Sequence, residues 1–225
     1  MNARATVVAA LIALAALIGT AALRPLAAQS VAWDARLDSA TAVQVRALLD
    51  TAAAAGVPLR PLQDKALEGS SKGAPGTRIV AAVRALGREL GTARTILGAT
   101  ASESELVAAA GALAAGATRD DVAHLRDARG GALAVPLVVL ADLISRGVPP
   151  PAASSAVTDL ARAGAPDDAY AALRRAVEQD IARGTPGAAA AESRARAMLG
   201  TLPPPRLTPP AGATDQTAGH APTPP

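Results

Sequence analysis

The chain has 225 residues, a formal net charge of +3, no Cys, no Phe, and a single Trp and Tyr. Without Cys it can form neither a disulfide framework nor a thiolate zinc site, and it has no Cys nucleophile. With two aromatic side chains it has no platform on which bases could stack, so we expect no nucleic-acid partner.

The first residues have the layout of an export signal. Arg4 forms a short basic region, residues 7–23 carry no charge, and small side chains follow. We predict a signal peptide over residues 1–28, with cleavage after Ala28 or Gln29. The alternative is an inner-membrane anchor formed by residues 7–23, although this Ala-rich stretch is short for a bilayer core. The sequence therefore predicts export to the periplasm or the medium.

Removal of this segment changes the charge of the protein. It takes away Arg4 and Arg24 and no acidic residue, so the net charge falls from +3 to +1. The remaining chain has no basic stripe of the kind that binds nucleic acid or anionic membranes. Its most apolar stretch, residues 135–144, is too short to span a bilayer. We expect no integral membrane span after cleavage.

Glycine divides the rest of the chain into segments of helical length. Most of these glycines precede a small or β-branched residue and then Pro or Thr. Gly in the left-handed conformation closes helices, and Pro or a hydroxyl residue begins them. Each segment is therefore predicted to be one helix and one tight turn. The glycines are Gly56, Gly73, Gly98, Gly116, Gly131, Gly147, Gly164 and Gly184.

Apolar residues within the segments recur at helical spacing. One stripe comprises Ile79, Val83, Leu86, Leu90, Ala93 and Leu97, and a second comprises Tyr170, Leu173, Val177 and Ile181. Residues 102–105 form a capping box, and no stretch alternates with the period of a strand. We predict an all-α domain over residues 37–200, built from antiparallel helical hairpins of about 35 residues. They form either a solenoid-like array or a compact bundle, with a close helix crossing at Gly87 and Gly91.

The segments on either side of this domain differ from it in composition. Residues 29–36 are predicted to be a short unstructured leader that contains Trp33. Residues 201–225 are predicted to be a disordered, Pro-rich tail, because eight of residues 203–225 are Pro.

One segment stands out because the chain has 20 Arg and only two Lys. Both lysines, Lys65 and Lys72, fall within eight residues. Leu62 and Ala66 predict a short helix that ends at Gly69. Residues 70–76 are then a loop, and the long helix begins at Thr77 and Arg78.

Residues 58–97 include a segment that resembles a segment of other proteins. The segment Lys65-Ala-Leu-Glu-Gly-x-x-Lys-Gly, followed by Arg78-Ile79, resembles a segment of uncharacterised exported bacterial all-helical proteins. The resemblance covers about a fifth of the exported chain. It implies an exported location and a helical fold, and it implies no catalytic residue.

Three interpretations of the segment compete. In the first, Lys65 pairs with Glu68 at i,i+3 and Lys72 donates to carbonyls at a helix end. In the second, Lys65, Glu68, Lys72 and Arg78 form a binding site for an anion or an acidic partner. In the third, a lysine acts as base or nucleophile beside Glu68, which requires a dry pocket.

Acidic residues around His124 are the remaining candidates. Asp120 and Asp127 lie at i−4 and i+3 of His124 and could hold a divalent cation, with Asp121 nearby. A solvated helix face explains the same spacing, and the domain has no second His. We therefore predict no metal site and no cofactor.

The sequence identifies no activity. We predict a secreted or periplasmic helical interaction scaffold of a bacterial cell envelope, without a catalytic site. Its partner is expected to be another envelope protein or an acidic ligand. The alternative is an envelope hydrolase or transferase with a carboxylate or lysine site in a helical cleft. Glu68, Asp120 and Asp121 are its first candidates.

Overall fold

The structure is a computed structural model that describes residues 33–202. Within that range a short 3-10 helix, Trp33–Arg36, precedes nine α-helices and no strand occurs, so the predicted all-α class is confirmed. The predicted signal peptide or anchor and residues 203–225 of the predicted tail lie outside the described residues. The helices are α1 (Ser39–Ala54), α2 (Arg60–Ser71), α3 (Gly76–Leu97), α4 (Glu103–Ala115), α5 (Arg119–Ala128), α6 (Ala134–Ser145), α7 (Pro150–Arg162), α8 (Asp167–Ala182) and α9 (Gly187–Leu199).

Helix ends follow the glycine pattern with one exception. Seven of the eight glycines have positive φ, and Gly116, with φ 116°, is itself the C-cap of α4. Gly131 is the exception: it lies between α5 and α6, as predicted, but it has no positive φ. Helix α5 ends at Ala128, and its C-cap, Arg129, has an extended backbone that turns the chain without a left-handed residue.

Two helix starts have reciprocal capping boxes. Ser102 caps α4 together with Glu105, as predicted, and Thr118 caps α5 together with Asp121. In each box the hydroxyl accepts from a backbone N–H that the helix leaves unpaired, and the carboxylate accepts from the N-cap N–H. Pro is the N-cap of α3, α7, α8 and α9. Because Pro has no backbone N–H, it cannot donate the hydrogen bond that would continue a preceding helix.

The helices pack mainly on near neighbours in the chain, an arrangement that fits either of the two predicted forms, a helical array or a bundle. In the described residues, every extensive helix contact joins helices one or two positions apart in the chain. Helices α1, α3, α5, α7 and α9 form one layer, and α4, α6 and α8 form the other. Contacts limited to near neighbours are the defining feature of stacked helical repeats.

Two glycines lie at close contacts between helix starts in the first layer. A Cβ at Gly187 would lie 3.0 Å from the carbonyl oxygen of Gly147, and one at Gly76 would overlap the hydroxyl of Thr41. The start of α9 thus lies against the start of α7, and the start of α3 lies against the start of α1. In each of these two pairs, the helices therefore lie with their starts side by side.

Small side chains and Leu fill the interior. Helix α4 buries four alanines, Ala108, Ala109, Ala110 and Ala112, and packs most extensively on α6, the most apolar helix. Tyr170 is fully buried in α8, as predicted. None of the helices in residues 33–202 has the length and apolarity needed to cross a membrane.

The predicted unstructured leader was wrong in its described part. Residues 33–36 form the 3-10 helix, Trp33 is half-buried against the core, and Asp34 pairs with Arg46 of α1. The indole supplies the apolar area that lets so short a segment dock.

Arginine side chains connect neighbouring segments through hydrogen bonds. Arg94 donates to the carbonyl oxygen of Gly56 at 2.7 Å and to that of Ala99 at 3.0 Å. Asp180, which is buried, accepts hydrogen bonds from Arg183 and Arg194, and these lower its pKa. Because no buried side-chain N or O in the described part lacks a hydrogen-bond partner, these networks are satisfied.

Candidate functional site

The four predicted binding residues meet in one cleft. Lys65, Glu68, Lys72 and Arg78 line a cavity of about 370 Å³ between α2 and the first turns of α3. We call it the basic cleft. Its wall also includes the loop between these helices and Ala82 of α3. Residues that the sequence places up to 13 positions apart are thus neighbours in space.

The turn between α2 and α3 positions Lys72. Gly73, with φ 65°, donates to Ser70, and the next N–H, that of Ala74, donates to Gly69. This pair of bonds is a Schellman motif, and it places Lys72 at the C-cap. The prediction that α2 ends at Gly69 was wrong. The helix continues to Ser71 because its orphan carbonyls find these donors.

Gly69 has a packing role instead. A Cβ at this position would lie 2.8 Å from Cγ1 of Ile79, which is buried in α3. The absence of a side chain lets α3 approach α2 across the floor of the cleft. Ser70 also donates to the carbonyl oxygen of Arg36 at 2.6 Å, which fixes the end of α2 on the 3-10 helix.

Glu68 is the centre of the charge arrangement. Its Oε2 accepts from Nζ of Lys65 at 3.0 Å, and its Oε1 accepts from Lys72. The predicted i,i+3 pair is therefore confirmed, but Lys72 donates to this carboxylate and not to helix carbonyls as predicted. Hydrogen bonds from Lys72 and Lys65 lower the pKa of Glu68 to about 2.

The cleft has an excess of positive charge. Among its lining residues three cations surround one carboxylate, and Arg78 forms no ion pair within the described residues. Arg78 lies in the first turn of α3, where the helix dipole is positive and no acidic residue occurs. Asp38, which lies beside Gly76, already accepts two hydrogen bonds from Thr41. The charge of Arg78 is thus available to an external anion.

This geometry gives little support to acid–base chemistry. A carboxylate with a pKa of about 2 carries no proton at neutral pH and is a weak base. The side chains of Lys65 and Lys72 are 41% and 70% exposed, whereas a lysine base requires desolvation to lower its pKa.

The candidates on α5 do not converge. Asp120, His124 and Asp127 are exposed, and Asp127 pairs with Arg126. In residues 33–202 there is no group of three or more His, Cys, Asp or Glu that could hold a metal ion. Asp121 caps its own helix. Burial alone would raise its pKa, but the hydrogen bonds that it accepts, including those from Thr118, lower it.

Further concave surfaces were missed from the sequence. One is a pair of adjoining cavities, of about 650 and 340 Å³, on the layer of α4, α6 and α8, where Val107 and Val138 are exposed. A second, of about 390 Å³, lies between α1, α2 and α3 and includes Gly87 and Gly91. The predicted close crossing at these glycines was wrong. The only sequence signal for the second surface was the presence of two glycines inside one helix.

Comparison of the chain with models of protein families, with curated proteins and with solved structures gives no match in any of the three. The resemblance of residues 58–97 to exported helical proteins therefore stays a prediction.

Proposed function

We propose that this protein is a helical interaction scaffold of a bacterial cell envelope, and that it binds an acidic segment of a partner protein in the basic cleft. The observation that carries the proposal is the convergence of Lys65, Lys72 and Arg78 around a single carboxylate. Stacked helices of this kind present extended surfaces for partners.

The electrostatics favour an acidic occupant. Arg78 is a cation at the positive end of α3, an unfavourable position that a bound carboxylate would relieve. Lys72 is 70% exposed and can reach an incoming group without leaving Glu68. Glu68, with a pKa of about 2, is already ionised at the pH at which other acidic side chains ionise, and the three cations of the lining still leave an excess of positive charge.

A photo-crosslinking experiment tests this contact. A photoreactive amino acid is placed at Ala82, in the wall of the cleft, or at Val43, which is 62% exposed on α1. In intact cells we expect a specific partner to crosslink from position 82 and not from position 43. The double variant Lys72→Gln/Arg78→Gln should reduce the yield about tenfold or more, because it removes two charge-assisted contacts.

The matched control removes two positive charges elsewhere. Arg119 and Arg175 are exposed and form no ion pair within the described residues, so Arg119→Gln/Arg175→Gln should leave the yield unchanged. Equal loss in both double variants would indicate only a general effect of charge. That result, or equal crosslinking from positions 82 and 43, would contradict the basic cleft as the contact surface.

The envelope location rests on the pattern of residues 1–28 and is tested separately. We expect the protein purified from the periplasm or the medium to begin at Gln29 or Ser30, because the small residues Ala27 and Ala28 lie within three positions before either bond. Intact-mass measurement identifies the first residue. A chain that is recovered in the cytosol with residues 1–28 attached would refute export.

A further inference from the structure

The cavity between α1, α2 and α3 is separate from the basic cleft and has a different character. Its volume is about 390 Å³, and its floor consists of buried apolar side chains, including Leu62 and Val83. Two guanidinium groups, those of Arg84 and Arg88, belong to its lining. The cavity therefore combines an apolar interior with a cationic edge. Small-molecule sites share this combination, and their volumes begin at about 300 Å³.

The glycines in this cavity are not required by the backbone. A Cβ at Gly91 would meet nothing within 4 Å, and one at Gly87 would lie 3.9 Å from the nearest atom, Cδ2 of Leu62. Both lie inside α3 and neither has positive φ. Ala would form a more stable helix at both positions. The two glycines leave open space, and the small side chains of Ala52, in α1, and of Ala55, its C-cap, widen that space from the other side.

Arg84 and Arg88 are the cationic side chains of the cavity lining. They lie one turn apart on α3, and like charges at this spacing repel each other. Neither pairs with a carboxylate in the part of the chain that the structure describes. The arginines that do form ion pairs there are Arg46, Arg60, Arg126, Arg129, Arg146, Arg162, Arg174, Arg183 and Arg194.

The other polar side chain of the lining is already satisfied. The hydroxyl of Thr51 donates to the carbonyl oxygen of Ala47 at 2.9 Å. The two guanidinium groups are thus the free polar side chains of this cavity, and they fix the chemistry of the polar end of a ligand. A guanidinium binds a carboxylate through two parallel N–H groups.

We propose that this cavity binds a single-chain carboxylate amphiphile. The carboxylate lies between Arg84 and Arg88, and the alkyl chain lies over Gly87 and Gly91 against Leu62 and Val83. A single short chain is favoured over a two-chain lipid because the cavity lies near the lower end of the size range of ligand sites. This site is independent of the partner proposed for the basic cleft.

Calorimetric titration of the exported chain with butanoate, hexanoate and octanoate tests the proposal. We expect saturable binding with one site per chain and about fourfold higher affinity for each methylene that is buried. Octanol, which has the chain without the charge, should bind at least about tenfold more weakly than octanoate. Absence of saturable octanoate binding would overturn the proposal.

Variants separate the two halves of the site. Arg84→Gln/Arg88→Gln should weaken octanoate at least about tenfold and leave octanol unchanged. Gly91→Leu should fill the cavity and abolish binding of both. Gly111→Leu is its control, because Gly111 also lies inside a helix with nothing within 4 Å of a Cβ, but belongs to another cavity. Arg119→Gln/Arg175→Gln and Lys72→Gln/Arg78→Gln should both retain binding.

Thermal unfolding shows whether each variant is folded. Gly91→Ala should raise Tm, because the helix gains stability without a clash. If Gly91→Leu does not fold, the arginine variant decides the question, because its changes lie on the exposed edge. Unchanged octanoate binding in a folded Gly91→Leu would refute the site. Arginine-dependent binding to phosphatidylglycerol vesicles without octanoate binding would refute it in favour of a membrane surface.

Discussion

Replacement of Arg129 by Ala is expected to lower the free energy of unfolding by about 3 kcal/mol. The side chain is 13% exposed and lies where α5 ends. It donates to the carbonyl oxygens of Ala132 at 2.7 Å and Ala165 at 3.0 Å, and to the hydroxyl of Tyr170 at 2.9 Å. One guanidinium thus joins the end of α5 to the start of α8.

The large effect follows from what the substitution leaves behind. The hydroxyl of Tyr170 would lose its partner inside the core, and an unpaired buried polar group costs about 1–3 kcal/mol. The guanidinium carbon also lies 5.0 Å from the centre of the Tyr170 ring, so a cation–π contact is lost. The ion pair with Asp167, whose side chain is 52% exposed, adds little.

Denaturant unfolding of four variants checks this result. Tyr170→Phe removes only the hydroxyl and should cost about 1 kcal/mol. Arg129→Lys keeps the charge but loses the planar guanidinium group. Its free energy of unfolding should therefore lie between those of wild type and Arg129→Ala. Arg175→Ala is the surface control and should stay within about 0.5 kcal/mol of wild type. An Arg129→Ala variant as stable as this control would contradict the proposed link between α5 and α8.

Replacement of Leu140 by Ala is expected to cost about 3 kcal/mol and to weaken the middle of the array selectively. Leu140 is 1% exposed in α6, which packs on α4, α7 and α8. Because the extensive helix contacts of residues 33–202 join near neighbours, stability is expected to depend on each interface in turn. Loss of packing at α6 therefore reduces the coupling between the two ends.

Hydrogen exchange distinguishes this result from ordinary destabilisation. Leu140→Ala should reduce amide protection most in α4, α6 and α8. The matched variant Leu49→Ala, in α1, the first of the described α-helices, should reduce amide protection in α1 and α3, the helix on which α1 packs. If both variants reduced protection equally in all the described helices, the fold would be cooperative as a whole, as a closed bundle is.

The basic cleft shows how far sequence reasoning reaches. The rarity of Lys and the spacing of Lys65, Glu68 and Lys72 on one helix face pointed to a cluster, and the local ion pair followed from i,i+3 geometry. The position of Arg78 beside them depends on the turn at Gly73, which the glycine pattern predicted, although the end of α2 was predicted at Gly69, two residues before its observed end at Ser71. The hydrogen bonds to Ser70 and Gly69 decided where α2 ends.

The cavity between α1, α2 and α3 could not be predicted from the sequence, and the reason is related. Gly87 and Gly91 inside a helix are compatible with a close crossing or with an open space. The choice depends on whether another backbone lies opposite, and here none lies within 4 Å of a Cβ at Gly91. The same residue type at Gly187 does meet a backbone, that of Gly147. Glycine alone carries no information on what faces it.

The sequence by itself determined the helical class, most helix boundaries and the burial of Tyr170. These features depend on local physics: left-handed glycines, capping side chains, and apolar residues at helical spacing. Only the tertiary structure decided which helices pack on one another, that Arg129 joins α5 to α8, and that an open cavity lies over Gly91. These features depend on interactions between residues far apart in the chain, because short Ala-rich helices can pack on one another in more than one arrangement.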